Sequence, residues 1–280
     1  MCAVPRYSPA PPVVTITTLG LLLFSPCAAV SGWAEAARSV ASVSGSSLVC
    51  SSSLADVSST GASVSSIEVS SEGCPSCGSV SSGAGAVSGF ADCTGHYLPL
   101  ACTINGSRIL DAGRAALGVD YDELASLAFA SEPGAGGITL VPYFDGERTP
   151  NRPDATATLS GMTLANTTRE NMARAFVEGL LCSQRDCLEL IRSLGAEISR
   201  ILLIDGGAKS KAIRTLAPSV FGMDVTRPTT DEYVAIGAAR QAAWVLSGET
   251  EPPTWPVKVE TTLTGEPTPQ VYEQYVRWRG

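Results

Sequence analysis

Asp205-Gly206-Gly207-Ala208-Lys209-Ser210 is the stretch best suited to hold a ligand. It follows the apolar run Ile201-Leu202-Leu203-Ile204 and opens a helical pattern. Glycine has no Cβ, so a ligand can approach the backbone closely, and a helix N-terminus offers free N–H groups and partial positive charge. The chemistry served is nucleotide or anion binding; the alternative is an ordinary strand-to-helix turn. Ala208-Lys209-Ser210 ends like a Walker loop, but Gly-x4-Gly-Lys-Ser would need glycine at Leu203 and Ala208. G-x-G-x-x-G is absent as well. Other reactive groups offer less. Cys74-Pro-Ser-Cys77 has half of a zinc-ribbon or redox spacing, without a second CxxC. His96 is the one histidine, which leaves little for a His-based triad. Glu147 and Arg148 read as a loop-fixing pair rather than a catalytic one. No metal site is expected from these residues.

The elements that must position this turn form an α/β pattern. Residues 87–92 and 97–103 are short extended runs, with Thr94-Gly95 as a plausible hairpin turn between them. Helical spacing covers 107–116 and 121–130. A glycine-rich break at 131–137 precedes ITLVPY (138–143), a buried-strand pattern, and a polar loop follows at 144–151. Thr167 and Glu170 have capping-box spacing ahead of a long helix, whose apolar face is Met172, Phe176, Leu180, Leu188, Ile191 and Leu194. Gly195 is its natural stop. The strand at 201–204 leads to helix 210–221, a short strand including Val225, and helix 233–246 behind a second capping box, Thr229 and Glu232. Alternating strands and helices predict parallel pairing.

The first 85 residues have a different texture. The chain has 19 Lys and Arg against 27 Asp and Glu, and only Arg6, Glu35, Arg38, Asp56, Glu68 and Glu72 fall before residue 86. Twenty serines lie between Ser31 and Ser82. A segment this poor in aromatic and charged residues buries too little apolar surface to offset its ordering entropy, so residues 1 to about 82 are expected to be disordered. It reads as a flexible stalk or as translation out of frame. The apolar run at 13–30 has the outline of a secretory signal, and a chance apolar run is the favoured alternative. A net charge of −8 disfavours nucleic acid, since no excess of cations is available to neutralise phosphates.

Four stretches after residue 86 carry a family resemblance. ITLVPYFDGERTPN (138–151) resembles a P-Y-x-x-G-E-R-T-P strand and loop. LSGMT (159–163), with Asn171-Met172 and AFVE (175–178), resembles a second signature, with Phe176 where a smaller residue is usual. Residues 205–210 resemble a G-G-G-A-R-S nucleotide loop, with Asp205 for the first glycine. EYVAIGAA (232–239) resembles a final E-x-x-A-x-G-A-A helix. In this order over about 160 residues, the chain resembles the C-terminal domain of the FGGY carbohydrate kinases, xylulokinases above all.

The resemblance implies an α/β, actin-like, ribonuclease-H-like ATPase lobe, here incomplete. It divides the chain into a low-complexity segment at 1–85, the nucleotide-binding domain at 86–250 and a tail at 251–280. It implies ATP and Mg²⁺ as cofactors, a ketopentose such as D-xylulose as substrate, no nucleic-acid or membrane partner, a cytoplasmic location, and a homodimer in the full-length family. Gly206, Gly207 and Ala208 would face adenosine and ribose, Lys209 and Ser210 would open the next helix, and Asn105 would lie near the phosphates. No catalytic residue is assigned, because the family's base aspartate lies on an N-terminal lobe without a counterpart here, and the chain by itself is expected to be inactive. The family's opening strand with its G-T-S-G loop also has no match just before residue 86; ASVSSIEV (62–69) is the alternative source of a strand there. The competing function is a non-catalytic, exported serine-rich protein with a degenerate kinase lobe.

Overall fold

The computed structural model describes residues 13–17, 21–25, 87–91, 97–204, 206–229, 233–256 and 258–280. Seven strands form a mixed sheet in the order β3-β4-β2-β1-β7-β8-β9. They are β1 (Val13–Thr17), β2 (Leu21–Ser25), β3 (Ser88–Ala91), β4 (Tyr97–Cys102), β7 (Arg200–Ile204), β8 (Val225–Pro228) and β9 (Val259–Leu263). β1 runs parallel to β7, and β7 to β8, whereas β1–β2, β2–β4, β3–β4 and β8–β9 are antiparallel. A separate two-stranded sheet joins β5 (Thr139–Val141) to β6 (Thr158–Ser160). The helices are α1 (Arg108–Leu117), α2 (Tyr121–Ala130), α3 (Arg169–Ser193), α4 (Lys211–Phe221), α5 (Tyr233–Ser247) and α6 (Pro269–Arg279).

Residues 13–17 and 21–25 fall in the segment expected to be disordered, yet they supply two strands of the sheet, which corrects that expectation for these residues. β1 sits between β2 and β7, with Val13 opposite Arg200 and Thr17 opposite Ile204. Its sequence, VVTIT, and that of β2, LLLFS, combine β-branched and apolar residues that suit a strand buried on both faces. A short continuous apolar run does not by itself distinguish a strand from a signal segment, and tertiary pairing decides it. The competing stretch at 62–69 lies outside the described residues, as do Thr94-Gly95 and Cys74 to Cys77. The ITLVPY run yields only three strand residues, which pair with β6 rather than with the main sheet. The tail at 251–280 contains elements of its own: β9 on the sheet edge and α6, which buries Val271 and Tyr275.

Helix α3 is the centre of the core, packing against α1, α2, α4, β5 and α6. One apolar face was the expectation; instead every residue from Ala173 to Gln184 is buried. Its N-cap is Thr168, whose Oγ1 accepts from the Asn171 N–H at 3.2 Å, one residue later than the capping-box spacing placed it. The Thr167 hydroxyl donates instead to the Thr163 carbonyl. Because α3 is enclosed, its polar residues need internal partners. Arg174 Nε lies 2.6 Å from Glu178 Oε1, and its Nη1 donates to the carbonyls of Ala128 and Ser131 at the end of α2. Glu178 accepts from the Gly134 N–H, so this buried pair ties the end of α2 to the following turn.

Phe176, the large residue at a position expected to be small, has a structural counterpart. A Cβ built on Gly113 in α1 would lie 2.7 Å from Phe176 Cγ. Helix propensity alone favours Gly113→Ala by about 1 kcal/mol, but overpacking a core costs ~1–3 kcal/mol. Gly113→Ala should therefore destabilise the chain by about 1 kcal/mol in urea unfolding and become neutral or stabilising beside Phe176→Ala. Equal effects of Gly113→Ala in both backgrounds would show that the two residues do not compete for space.

Burial raises the Cys182 and Cys187 thiols well above their ordinary range, and nearby carboxylates add to the shift. The thiolate is the reactive form. Brief alkylation followed by peptide mapping should leave both thiols unmodified in the native chain and label both in denaturant. Rapid native labelling of either would contradict the packing around α3.

Candidate nucleotide site

β4 runs antiparallel to β2, β2 antiparallel to β1, and β1 parallel to β7 and, through it, β8. The C-terminal ends of β4, β1, β7 and β8 therefore share one sheet edge. The register is level: Cys102 pairs with Leu21, and Thr17 with Ile204. Ligands of open α/β sheets bind outside the carboxyl ends of strands. The two segments with candidate residues leave the sheet along this edge, one after β4 and one after β7, three strand spacings or roughly 14 Å apart.

After β7, Gly206–Lys209 forms a single 3₁₀ turn. Gly206 and Lys209 are exposed, while Gly207 and Ala208 are buried. The Ser210 N–H donates to the Gly207 carbonyl at 3.0 Å, closing the turn. Ser210 then caps α4: its Oγ accepts from the Ile213 N–H at 3.4 Å, and its carbonyl accepts from Arg214. Burial of Ala212, Ile213, Leu216 and Ala217 fixes α4 against the core. The helix N-terminus thus opens at the sheet edge, with exposed Lys209 and Lys211 beside it. Backbone N–H groups, the helix dipole and these cations together favour an anionic ligand.

Asn105 lies after β4 and is almost wholly buried. Its carboxamide is engaged by the loop after β5. Nδ2 donates to the Gly146 carbonyl at 2.6 Å and to Glu147 Oε2 at 3.2 Å, and Oδ1 accepts from the Asp145 N–H. Buried Glu147 also accepts from the backbone N–H groups of Ile104 and Arg148, each at 2.8 Å. Glu147 therefore fixes the loop, as its position in the motif led us to expect. The pairing with Arg148 is made through the Arg148 backbone, and that side chain is exposed. Gly146 adopts φ +74°, and a Cβ there would lie 2.2 Å from the Pro153 carbonyl, so the loop requires glycine. Asn105 thus shares the edge with Gly206–Ser210 while anchoring the 145–147 loop. Ile104 and Phe144 lie exposed nearby, and Arg108 pairs with Asp145 at the surface.

Among the described residues no three His, Cys, Asp or Glu converge as a metal cluster, and no helix is long and apolar enough to cross a membrane.

This mixed sheet, with level strand ends and a glycine turn leading into a capped helix, matches solved sugar kinases, which have the actin-like ATPase fold. The chain belongs to the FGGY family of carbohydrate kinases: the model of that family's C-terminal domain matches residues 58–246. The match begins earlier than residue 86, where the motifs become legible. A xylulose kinase of Streptomyces rubiginosus is 41% identical over 166 residues, covering 59% of this chain and 33% of that protein. One from Haemophilus influenzae is 37% identical over 165 residues, with the same shares. The crystal structure of xylulose kinase from Bifidobacterium adolescentis matches with TM-score 0.66 and 86% identity, covering 70% of this chain and 39% of that one. That of Rhodospirillum rubrum xylulose kinase shares the fold with TM-score 0.63 at 20% identity, covering 97% of this chain and 45% of that one. The chain spans about a third of the length of the curated relatives it matches.

Proposed function

We propose that this chain is the nucleotide-holding part of a sugar kinase of the xylulokinase type, one that transfers the terminal phosphoryl group of ATP to D-xylulose. The observation that carries the reading is the Gly206–Ser210 turn, set at the carboxyl edge of the sheet and leading into a capped helix. In this reading Gly206, Gly207 and Ala208 pack against the nucleoside, where the lack of large side chains allows close approach. Lys209 and Ser210 begin the helix whose N-terminus favours the nucleotide's negative charge. Asn105 lies near the phosphates and acts through the turn it fixes. The domain occupies 86–250, with β1 and β2 drawn in from the front segment.

Phosphoryl transfer of this kind relies on positioning and charge neutralisation around in-line attack. Mg²⁺ is expected to arrive with the nucleotide, since it keeps several waters and binds through substrate phosphates with one or two carboxylates. The general base belongs, in this reading, to the family's other lobe, and no carboxylate in the described motifs takes that role. The small-molecule partner is a ketopentose, and the cytoplasm is the compartment that supplies ATP to such an enzyme.

Photolabelling with an azido-adenine nucleotide tests the assignment. The label should map to the peptide around residues 201–214 and be competed by ATP but not by D-xylulose. Labelling confined to other peptides would overturn it.

A further inference from the structure

We propose that the C-terminal helix α6 is a positioning element for the sheet edge, acting on the turn after β4 through Arg152 and Glu147. This rests on the nucleotide reading only where it concerns ligand affinity. Glu147 and Arg152 face each other across the loop in a reciprocal backbone pair, with N···O distances of 2.9 and 2.8 Å. Their side chains leave in different directions. Glu147 holds the Ile104 N–H and the Asn105 carboxamide, at the edge. Arg152 donates from Nη1 to the Arg279 carbonyl at 2.7 Å and from Nη2 to the Gly280 carbonyl at 2.9 Å, at the end of α6.

The helix itself is held firmly enough to act as a support. Gln274 Nε2 donates to the carbonyls of Gly134 and Ile138 and to Thr139 Oγ1, all within 3.2 Å. The Tyr272 hydroxyl donates to Asp186 on α3, and Arg279 Nε lies 3.1 Å from the other oxygen of that carboxylate. Val271 and Tyr275 are buried beneath. A planar guanidinium that grips two carbonyls in a fork transmits this fixed position to the loop in a way a single-point cation does not. The path is contiguous: α6, Arg152, the backbone pair, Glu147, then Ile104 and Asn105. None of its members belongs to the glycine turn.

The test is amide hydrogen exchange on the whole chain, together with affinity for ADP. Arg152→Ala should lower protection of the Ile104 and Glu147 amides by about fivefold or more, while amides in the middle of α3 keep theirs. Arg152→Lys should recover only part of it. Gln274→Leu, which frees the helix from its opposite side, should also loosen Ile104. ADP affinity should fall several-fold in Arg152→Ala with an unchanged urea midpoint. Unchanged Ile104 protection in both Arg152→Ala and Gln274→Leu would overturn the coupling. Lost protection with unchanged ADP affinity would overturn the positioning role while leaving the nucleotide assignment intact. A wild-type chain that does not bind ADP at all would overturn that assignment, and the functional half of this proposal with it.

Discussion

Arg174→Met should destabilise the chain by about 3–5 kcal/mol, the usual consequence of removing one partner from a buried ion pair. Arg174 and Glu178 are 7% and 4% exposed, so water cannot replace the lost partner. The substitution also strands the carbonyls of Ala128 and Ser131. Replacing both members, Arg174→Met with Glu178→Leu, should restore much of the loss, because no uncompensated charge is left. The deficit should depend on pH. Burial already raises the Glu178 carboxyl above the ordinary glutamate range, against the lowering influence of Arg174. For an acid whose folded value exceeds its unfolded one, the stabilising contribution is full below the unfolded value and is lost as pH rises through the folded value. Without Arg174 that folded value rises further, so the variant should be least impaired near pH 5 and most impaired near pH 8. Urea unfolding at the two pH values measures this. A deficit under 1 kcal/mol, or one that grows on acidification, would show that the pair is not a buried, mutually dependent unit.

The second large effect concerns the strand drawn from the front segment. β1 is interior, pairing with β2 on one side and β7 on the other. Proline at Ile16 removes a backbone N–H and places its ring where a neighbouring strand must lie, so it is not tolerated in a central strand. Ile16→Pro should cost at least ~3 kcal/mol, enough to unfold a domain of ordinary stability, and far-UV circular dichroism with urea titration would report it. Serine 65, within the competing stretch at 62–69, provides the comparison. Loss of structure with Ser65→Pro and not with Ile16→Pro would assign the interior strand to that stretch instead.

Much of the helical framework could be read from residues. Helix α2 falls where its spacing placed it, and α1, α4 and α5 differ by a residue at their ends, because caps and periodicity are local signals. The Gly-Gly turn at the strand-to-helix junction was equally legible, whereas Ser210, placed as the first helical residue, is the N-cap. Three features were harder. Two apolar runs separated by Thr18-Leu19-Gly20 carry a hairpin signal, but the same residues imitate the apolar core of a signal segment. The all-round burial of α3 does not follow from its own sequence: one apolar face was legible, and nothing local shows that α2 and the turn at Gly134 close over Arg174 and Glu178. No element is assigned to the tail at 251–280 from sequence, although Pro269 suits the start of α6, and nothing local tells that Arg152, more than a hundred residues earlier, grips its end. The role of Asn105 has the same character: its type allows a phosphate contact, and only tertiary structure shows the carboxamide engaged by the 145–147 loop.

Isothermal titration of the chain with ADP, beside Gly207→Val, addresses the nucleotide assignment most directly. Gly207 is buried in the turn; under the proposed function, a branched side chain there would stand where the nucleoside approaches the backbone. The wild-type chain should bind ADP, and Gly207→Val should lose at least about tenfold in affinity, some 1.4 kcal/mol, under conditions where its urea transition shows the variant folded. Equal ADP affinity in the two proteins would contradict the assignment and leave Gly206–Ser210 as a turn that only joins β7 to α4.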